Sequence, residues 1–254
     1  MFIPKFYFMK KNIYVLLIFC TTLSGYAQYA GQASTNMSAG GGGGATGQIY
    51  DLMGPISERS KKNADMYSEF QGSPYLSDTF LPTTMFYGDE NMGNIFYRYN
   101  ALNEEIEIKK SNSEEAQIQS LSRDKKINIV ANGKKMSFKT FTTSKNNTVN
   151  GYLTTIINGK NYDLYKRNYV KYTEGKAATN SFVKAVPSRF SQFTEYYFQK
   201  DGIDRMDEIK LKNGQLLKLI DDSKKADLKQ FLKDNDLNIK NEKDLIKVFD
   251  FLNS

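Results

Sequence analysis

The chain has 254 residues, a net charge of +7, a single cysteine, Cys20, and neither histidine nor tryptophan. Without imidazole, Ser–His and Cys–His nucleophiles are excluded, and zinc or copper centres lose their usual donors. Lysines alternate with acidic residues over Glu104–Lys110, Lys200–Lys212 and Asp221–Lys247, so no single-sign face points to nucleic acid as a partner.

Met9–Gln28 reads as a secretion leader: Lys10 and Lys11, the apolar run Ile13–Phe19, then Gly25, Tyr26 and Ala27 as a cleavage site. The expected signal peptide spans residues 1–27, with Met9 as a second plausible start after Met1. Its apolar run falls short of the roughly 20 residues a bilayer requires, so no transmembrane span is expected. Phe19 stands before Cys20 where a lipid-anchored chain needs a small residue. Cleavage would remove Lys5, Lys10 and Lys11, lower the charge from +7 to +4 and take away the one cysteine.

Residues 28–48 read as a flexible tether, because Gly40–Gly44 and their small polar neighbours cannot bury enough surface to offset ordering entropy. A phosphate-cradling loop does not fit, since Gln48 and Ile49 follow Gly47 in place of Lys and Ser/Thr. Residues 49–91, carrying Pro55, Pro74 and Pro82 without a clean period, are expected as an extended segment lying on the domain. Ser57–Phe70 is compatible with a short helix.

Residues 92–213 read as an antiparallel β domain. The turn dipeptides Asn132-Gly133, Asn158-Gly159, Asp201-Gly202 and Asn213-Gly214 punctuate β-branched and aromatic runs, and Asn-Gly suits the positive φ of hairpin turns. The expected strands are Ile95–Asn100, Glu105–Lys109, Ile127–Ala131, Lys135–Thr142, Thr148–Ile157, Asn161–Tyr172, Phe193–Gln199 and Asp204–Leu211. Alternation sets Ile106 and Ile108 against Glu105 and Glu107, and Met136 and Phe138 against Lys135, Ser137 and Lys139, one face buried and one wet. The Asn161 strand, dense in aromatics, reads as covered on both faces.

Residues 214–254 change to helical spacing, with Leu228, Phe231 and Leu232 on one helix and Leu245, Val248, Phe249 and Leu252 on another. Ser223 and Asn241 are the expected caps, and Gln215–Ile220 a short linking turn. The fold class expected is α+β, mainly β: an antiparallel sheet of about eight strands, curved or partly closed, with a C-terminal helical hairpin packed on it. Terminal amphipathic helices argue against an outer-membrane barrel.

Candidate chemistry is sparse. Glu105 and Glu107 share a strand face and are the natural first residues for a carboxylate-dependent hydrolase, although alternation with isoleucine reads as a solvated face. Asp234, Asp236 and Asn238 begin like a calcium loop, but Ile239 and Leu245 replace its glycine and glutamate. Asp201, Asp204, Asp207 and Glu208 cluster across a hairpin, and turn chemistry explains them equally well. No catalytic residue, metal site or cofactor is therefore assigned. Tyr97, Tyr99, Tyr152, Tyr165 and Tyr169, concentrated in strands, are the candidate ligand- or partner-binding residues. Packing with a wet hydroxyl is their other reading.

Ser73-Pro74-Tyr75-Leu76, Arg98-Tyr99-Asn100-Ala101 with Glu105-Ile106-Glu107, Glu195-Tyr196-Tyr197 and the Lys-rich helical tail resemble uncharacterised exported proteins of flavobacterial type. That resemblance implies a Gram-negative cell-envelope address, in the periplasm, on the outer membrane or outside the cell, and no activity. The expected role is a non-catalytic binding or interaction module for an envelope protein. The alternatives are a carrier of a lipid or other apolar ligand in a β-lined cavity, and a carboxylate hydrolase.

Overall fold

The structure, a computed structural model, describes residues 52–54 and 70–254. The expected leader, the tether and, apart from Phe70, the short helix over Ser57–Phe70 lie outside the described residues. Every described residue belongs to one compact unit, Gly43–Ser254.

Among the described residues the fold is mainly β, with three helices. Eleven strands form one sheet: β1 (Met53–Gly54), β2 (Leu81–Tyr87), β3 (Glu90–Asn100), β4 (Glu105–Lys109), β5 (Gln119–Leu121), β6 (Ile127–Ala131), β7 (Lys134–Thr142), β8 (Thr148–Ile157), β9 (Tyr162–Thr173), β10 (Arg189–Lys200) and β11 (Met206–Glu208). Their order is β1-β5-β4-β3-β2-β6-β7-β11-β10-β9-β8, with β7 also paired to β8. β1, β2 and β5 raise the count above the expected eight. The proline-bearing stretch read as extended thus supplies β2, an inner strand. Pro82 pairs with Phe96 of β3, while β6 reaches only Thr84–Tyr87, so at Pro82 β2 has a partner strand on one side alone, an edge position where proline is tolerated.

Asn132 and Gly133 both take positive φ, 51° and 72°, between β6 and β7, as an Asn-Gly hairpin requires. Asn213-Gly214 instead opens a helix, α1 (Asn213–Leu219), which replaces the expected turn. α2 (Asp222–Asp234) starts after Asp221, so Ser223 lies inside its first turn and does not cap it. Asn241 caps α3 (Glu242–Asn253) as expected, accepting the Lys243 N–H.

Pairing between β7 and β8, β8 and β9, β9 and β10, and β10 and β11 is antiparallel, and one parallel pair, Asp207 with Thr142, returns β11 to β7. Five strands therefore close into a small barrel. Each contributes one buried residue to its interior: Phe141, Leu153, Tyr165, Tyr197 and Met206. That closure overturns the expected wet face of β7, where Ser137 is only 3% exposed.

The opposite face of the β9–β10 hairpin carries Tyr162, Leu164, Tyr196 and Phe198, which pack against Leu228 and Leu232 of α2 and Leu245, Val248, Phe249 and Leu252 of α3. β9 is thus covered on both faces. A separate core, the first core in chain order, joins Met85, Ile95, Tyr99, Ile106, Ile108 and Ile129 with Val170 and Phe190 from the far end of the hairpin. Asn253 ties α3 to the sheet: its side chain accepts the Asn161 and Tyr162 N–H groups and donates to the Tyr162 carbonyl.

Lys166 and the Tyr196 hydroxyl both donate to Glu242 at the start of α3. Partial burial pushes the Glu242 carboxyl up, but those two donors outweigh it and hold it below its ordinary 4.5. A carboxyl lowered on folding stabilises the native state above its unfolded pKa and loses that contribution as pH falls through the folded one. Thermal unfolding followed across acid pH should therefore show stability declining below about pH 4.5, and Glu242→Gln should flatten that decline. An identical acid limb in the variant would contradict this account of α3 docking.

Among the described residues no helix is long and apolar enough to cross a membrane.

Candidate ligand-binding site at the barrel end

The five candidate tyrosines do not share one face. Tyr99 and Tyr152 meet edge to face in the first core, with ring centroids 6.0 Å apart. Both hydroxyls are buried, and neither has a hydrogen-bond partner among the described residues. Tyr97 packs half-buried against the same core, and Tyr165 fills the barrel. Tyr169, also half-buried, stacks on Phe193 at 5.4 Å with Lys171 above both rings. The strand tyrosines are chiefly packing elements, and an exposed binding surface built from all five does not exist.

The two candidate carboxylates also differ from the sequence reading. Glu105 and Glu107 do share a face of β4, but it is covered, leaving them 7% and 2% exposed. Tyr75 forms an isolated bridge with Asn100 and sends its hydroxyl to Glu107, 3.1 Å away. Arg98 grips Glu107 at 2.5 Å from Nη2 and 3.1 Å from Nε while stacking over the rings of Tyr75 and Phe80. Asn100 adds a longer bond to Glu107, and the Ser120 hydroxyl donates to Glu105 at 2.8 Å. Such engaged groups hold a fold together; neither faces a cleft where a substrate would meet it.

The acidic clusters do not gather either. Asp236 takes φ 47° at the end of α2, where Leu237 N–H bonds back to the Leu232 carbonyl, a helix-ending turn. Asp207 pairs with Arg205, and Glu208 accepts the Ser144 N–H. Among the described residues no group of three or more acidic side chains is arranged to hold a metal ion.

On the barrel-facing side of the β9–β10 hairpin the register stacks cross-strand pairs in layers, Tyr165 with Tyr197 inside, then Arg167 with Glu195, then Tyr169 with Phe193 near the surface. Arg167 binds Glu195 at 3.0 Å and also Glu104, which enters from the β3–β4 turn in a left-handed conformation, φ 51°. Gly151 of β8 makes that entry feasible, since a Cβ there would collide with the Glu104 carboxylate. Although burial opposes its charge, Glu104 foremost, with help from Glu195, holds the Arg167 guanidinium above its ordinary pKa. Tyr197 donates to Glu195 at 2.8 Å. Tyr169 is pushed up to about 12, by burial first and Glu195 second. This polar plug fills the end of the barrel nearest the first core. Sequence reading noticed Glu104 only as a neighbour of Glu105, and missed Arg167 and Glu195.

The other end is open. β7 begins there, β8 ends beside it, β9 begins, β10 ends and β11 begins, so the turns carrying Asn132-Gly133, Asn158-Gly159 and Asp201-Gly202 converge. Turns held by a rigid scaffold are where binding residues concentrate. Two adjoining grooves lie between them. The larger, about 430 Å³, is lined by Lys135, Ser137 and Lys139 of β7, Thr155 and Ile156 of β8, Asn158, Gly133 and Tyr165. The smaller, about 240 Å³, runs from Tyr162 and Asp163 to the β10–β11 turn. Asp163 lies at this end with its carboxylate committed to the Gly159 N–H and the Tyr165 hydroxyl, both at 2.9 Å. Of the candidate tyrosines, Tyr165 alone lines this site.

No protein-family model matches the chain, and neither a curated protein nor a solved structure matches it.

Proposed function

We propose that this chain is an exported cell-envelope protein that acts by binding rather than turnover, with its ligand seated at the open end of the five-stranded barrel. The observation that carries this reading is the groove of about 430 Å³ between the Asn132-Gly133 and Asn158-Gly159 turns on an otherwise filled scaffold. A volume of that size is typical of small-molecule sites. The filled interior favours this end over an apolar lumen, because Phe141, Leu153, Tyr165, Tyr197 and Met206 occupy the space a carried lipid would need. The engagement of Glu105 by Ser120 and of Glu107 by Arg98 and Tyr75 favours binding over carboxylate hydrolysis.

The test is retention of a ligand. Asn158 is exposed at the rim, so Asn158→Trp should obstruct the groove without touching either core. Native mass spectrometry of the chain recovered from cells that export it should show a non-covalent adduct, and the variant should lack it. Absence of any adduct, or equal adduct on both proteins, would contradict the proposal.

A further inference from the structure

We infer that the groove at the barrel end recognises its ligand through an anionic group, a phosphate or a carboxylate, held between Lys135 and Lys139. The inference rests on the barrel end being the binding site, and names what that site selects.

Most half-buried cations of this fold have a partner. Arg98 is paired with Glu107, Lys166 with Glu242, Arg167 with Glu104 and Glu195, Lys200 with Asp221, and Lys225 with Asp222. Lys109 and Lys224, also half-buried, donate to the carbonyls of Ser113 and Leu252. Lys139 is the exception: half-buried on the inward face of β7, it has neither a carboxylate nor a carbonyl partner among the described residues. Its ammonium rests 5.0 Å from the centre of the Tyr165 ring. A half-buried ammonium without a counter-charge is costly, and a bound anion removes that cost.

The surroundings point the same way. Lys135 lines the same groove four residues earlier on the same face, and it too has no ion-pair partner among the described residues. Between them on that face is Ser137, whose buried hydroxyl has no hydrogen-bond partner among the described residues. A hydroxyl flanked by two ammonium groups is a donor set suited to oxyanions. Burial first and Lys135 second lower the Lys139 pKa; Lys125 adds to that effect and Asp163 opposes it. Asp163 is already committed to Gly159 and Tyr165 and does not pair with Lys139. Ile156 and the Tyr165 ring offer apolar wall, Thr155 and Asn158 further polar contacts, and the volume exceeds what an inorganic ion needs. The fitting ligand therefore carries its charge on a body about the size of a sugar.

Isothermal titration of the full chain with glucose 6-phosphate, glucuronate, glucose and inorganic phosphate tests this. Both charged sugars should bind more tightly than glucose, and which of them is preferred separates phosphate from carboxylate recognition. Added salt should weaken both. Lys139→Met, which keeps the apolar stem, should weaken the charged sugars about tenfold or more, the loss expected for one charge-assisted bond, while Lys139→Arg retains most of the affinity. Glucose bound as tightly as its 6-phosphate, no binding of either charged sugar, or unchanged affinity in Lys139→Met would overturn the inference. A neutral adduct that Asn158→Trp abolishes would overturn it too, yet leave the barrel end standing as the binding site. An adduct indifferent to Asn158→Trp would instead overturn the site itself.

Discussion

Replacing Arg167 by methionine is expected to lower the unfolding free energy by about 3–5 kcal/mol, the loss typical of removing one partner from a buried ion pair. The side chain is 15% exposed, and its two carboxylates, on Glu104 and Glu195, are 20% and 22% exposed. Methionine would leave both facing one another in a confined site with no cation between them. Tyr197 would continue to donate to Glu195, but Glu104 would retain no compensating charge. Its second carboxylate oxygen already lacks a partner among the described residues. Adding Glu104→Gln and Glu195→Gln to Arg167→Met should recover a substantial part of the loss, because the charge left uncompensated is then gone. Urea unfolding of the single and triple variants measures both quantities. A single variant within about 1 kcal/mol of the parent would mean that the plug is solvated and weak, as surface pairs are.

The second large effect is asymmetric. Arg98 and Glu107 form the ion pair beneath the Ser73–Phe80 segment, but only Glu107 is fully buried, at 2% against 18% for Arg98. Arg98→Met leaves a buried carboxylate with only the Tyr75 hydroxyl and the Asn100 amide, and should cost about 3–5 kcal/mol. Glu107→Leu leaves a guanidinium that keeps the faces of Tyr75 and Phe80 and partial access to water, and should cost about 1–3 kcal/mol. The double variant should lie nearer the parent than Arg98→Met does, since an apolar pair of similar volume can replace a buried ion pair at little cost. A double-mutant cycle by urea unfolding gives all three values. Equal costs for the two single variants would show that burial of the carboxylate is not what sets the penalty.

Where local pattern decides structure, the sequence was a good guide. β4, β6 and β8 begin and end where alternation and flanking turns put them, and Asn241 caps α3 as its side chain predicts. β2 was lost because Pro82 reads as a break, and only the shortness of β6 makes it tolerable. β11 shrank to Met206–Glu208, with Ile209 turned inward among the helices. Glu107 is covered by Tyr75, 32 residues away in sequence, and Glu105 is met by Ser120, 15 residues away, and no period on β4 reports a cover brought from elsewhere. The site was legible in fragments. Three turn dipeptides were visible, but their convergence follows from barrel closure, and closure rests on one parallel pair between residues 65 apart in sequence, Thr142 and Asp207. Lys139 and Ser137 read as solvated for the same reason, whereas Lys135 is exposed as the alternation predicts.

The central claim is that the open end of the barrel binds a ligand, and the most direct measurement is a map of where a ligand sits. Amide nuclear magnetic resonance spectra of the isotope-labelled chain, titrated with the adduct released from native preparations, should show shifts confined to Gly133–Lys139, Thr155–Tyr165 and the neighbouring Gln199–Asp204 turn. Shifts centred instead on Tyr169 and Phe193, or on the face of Glu105 and Glu107, would contradict it.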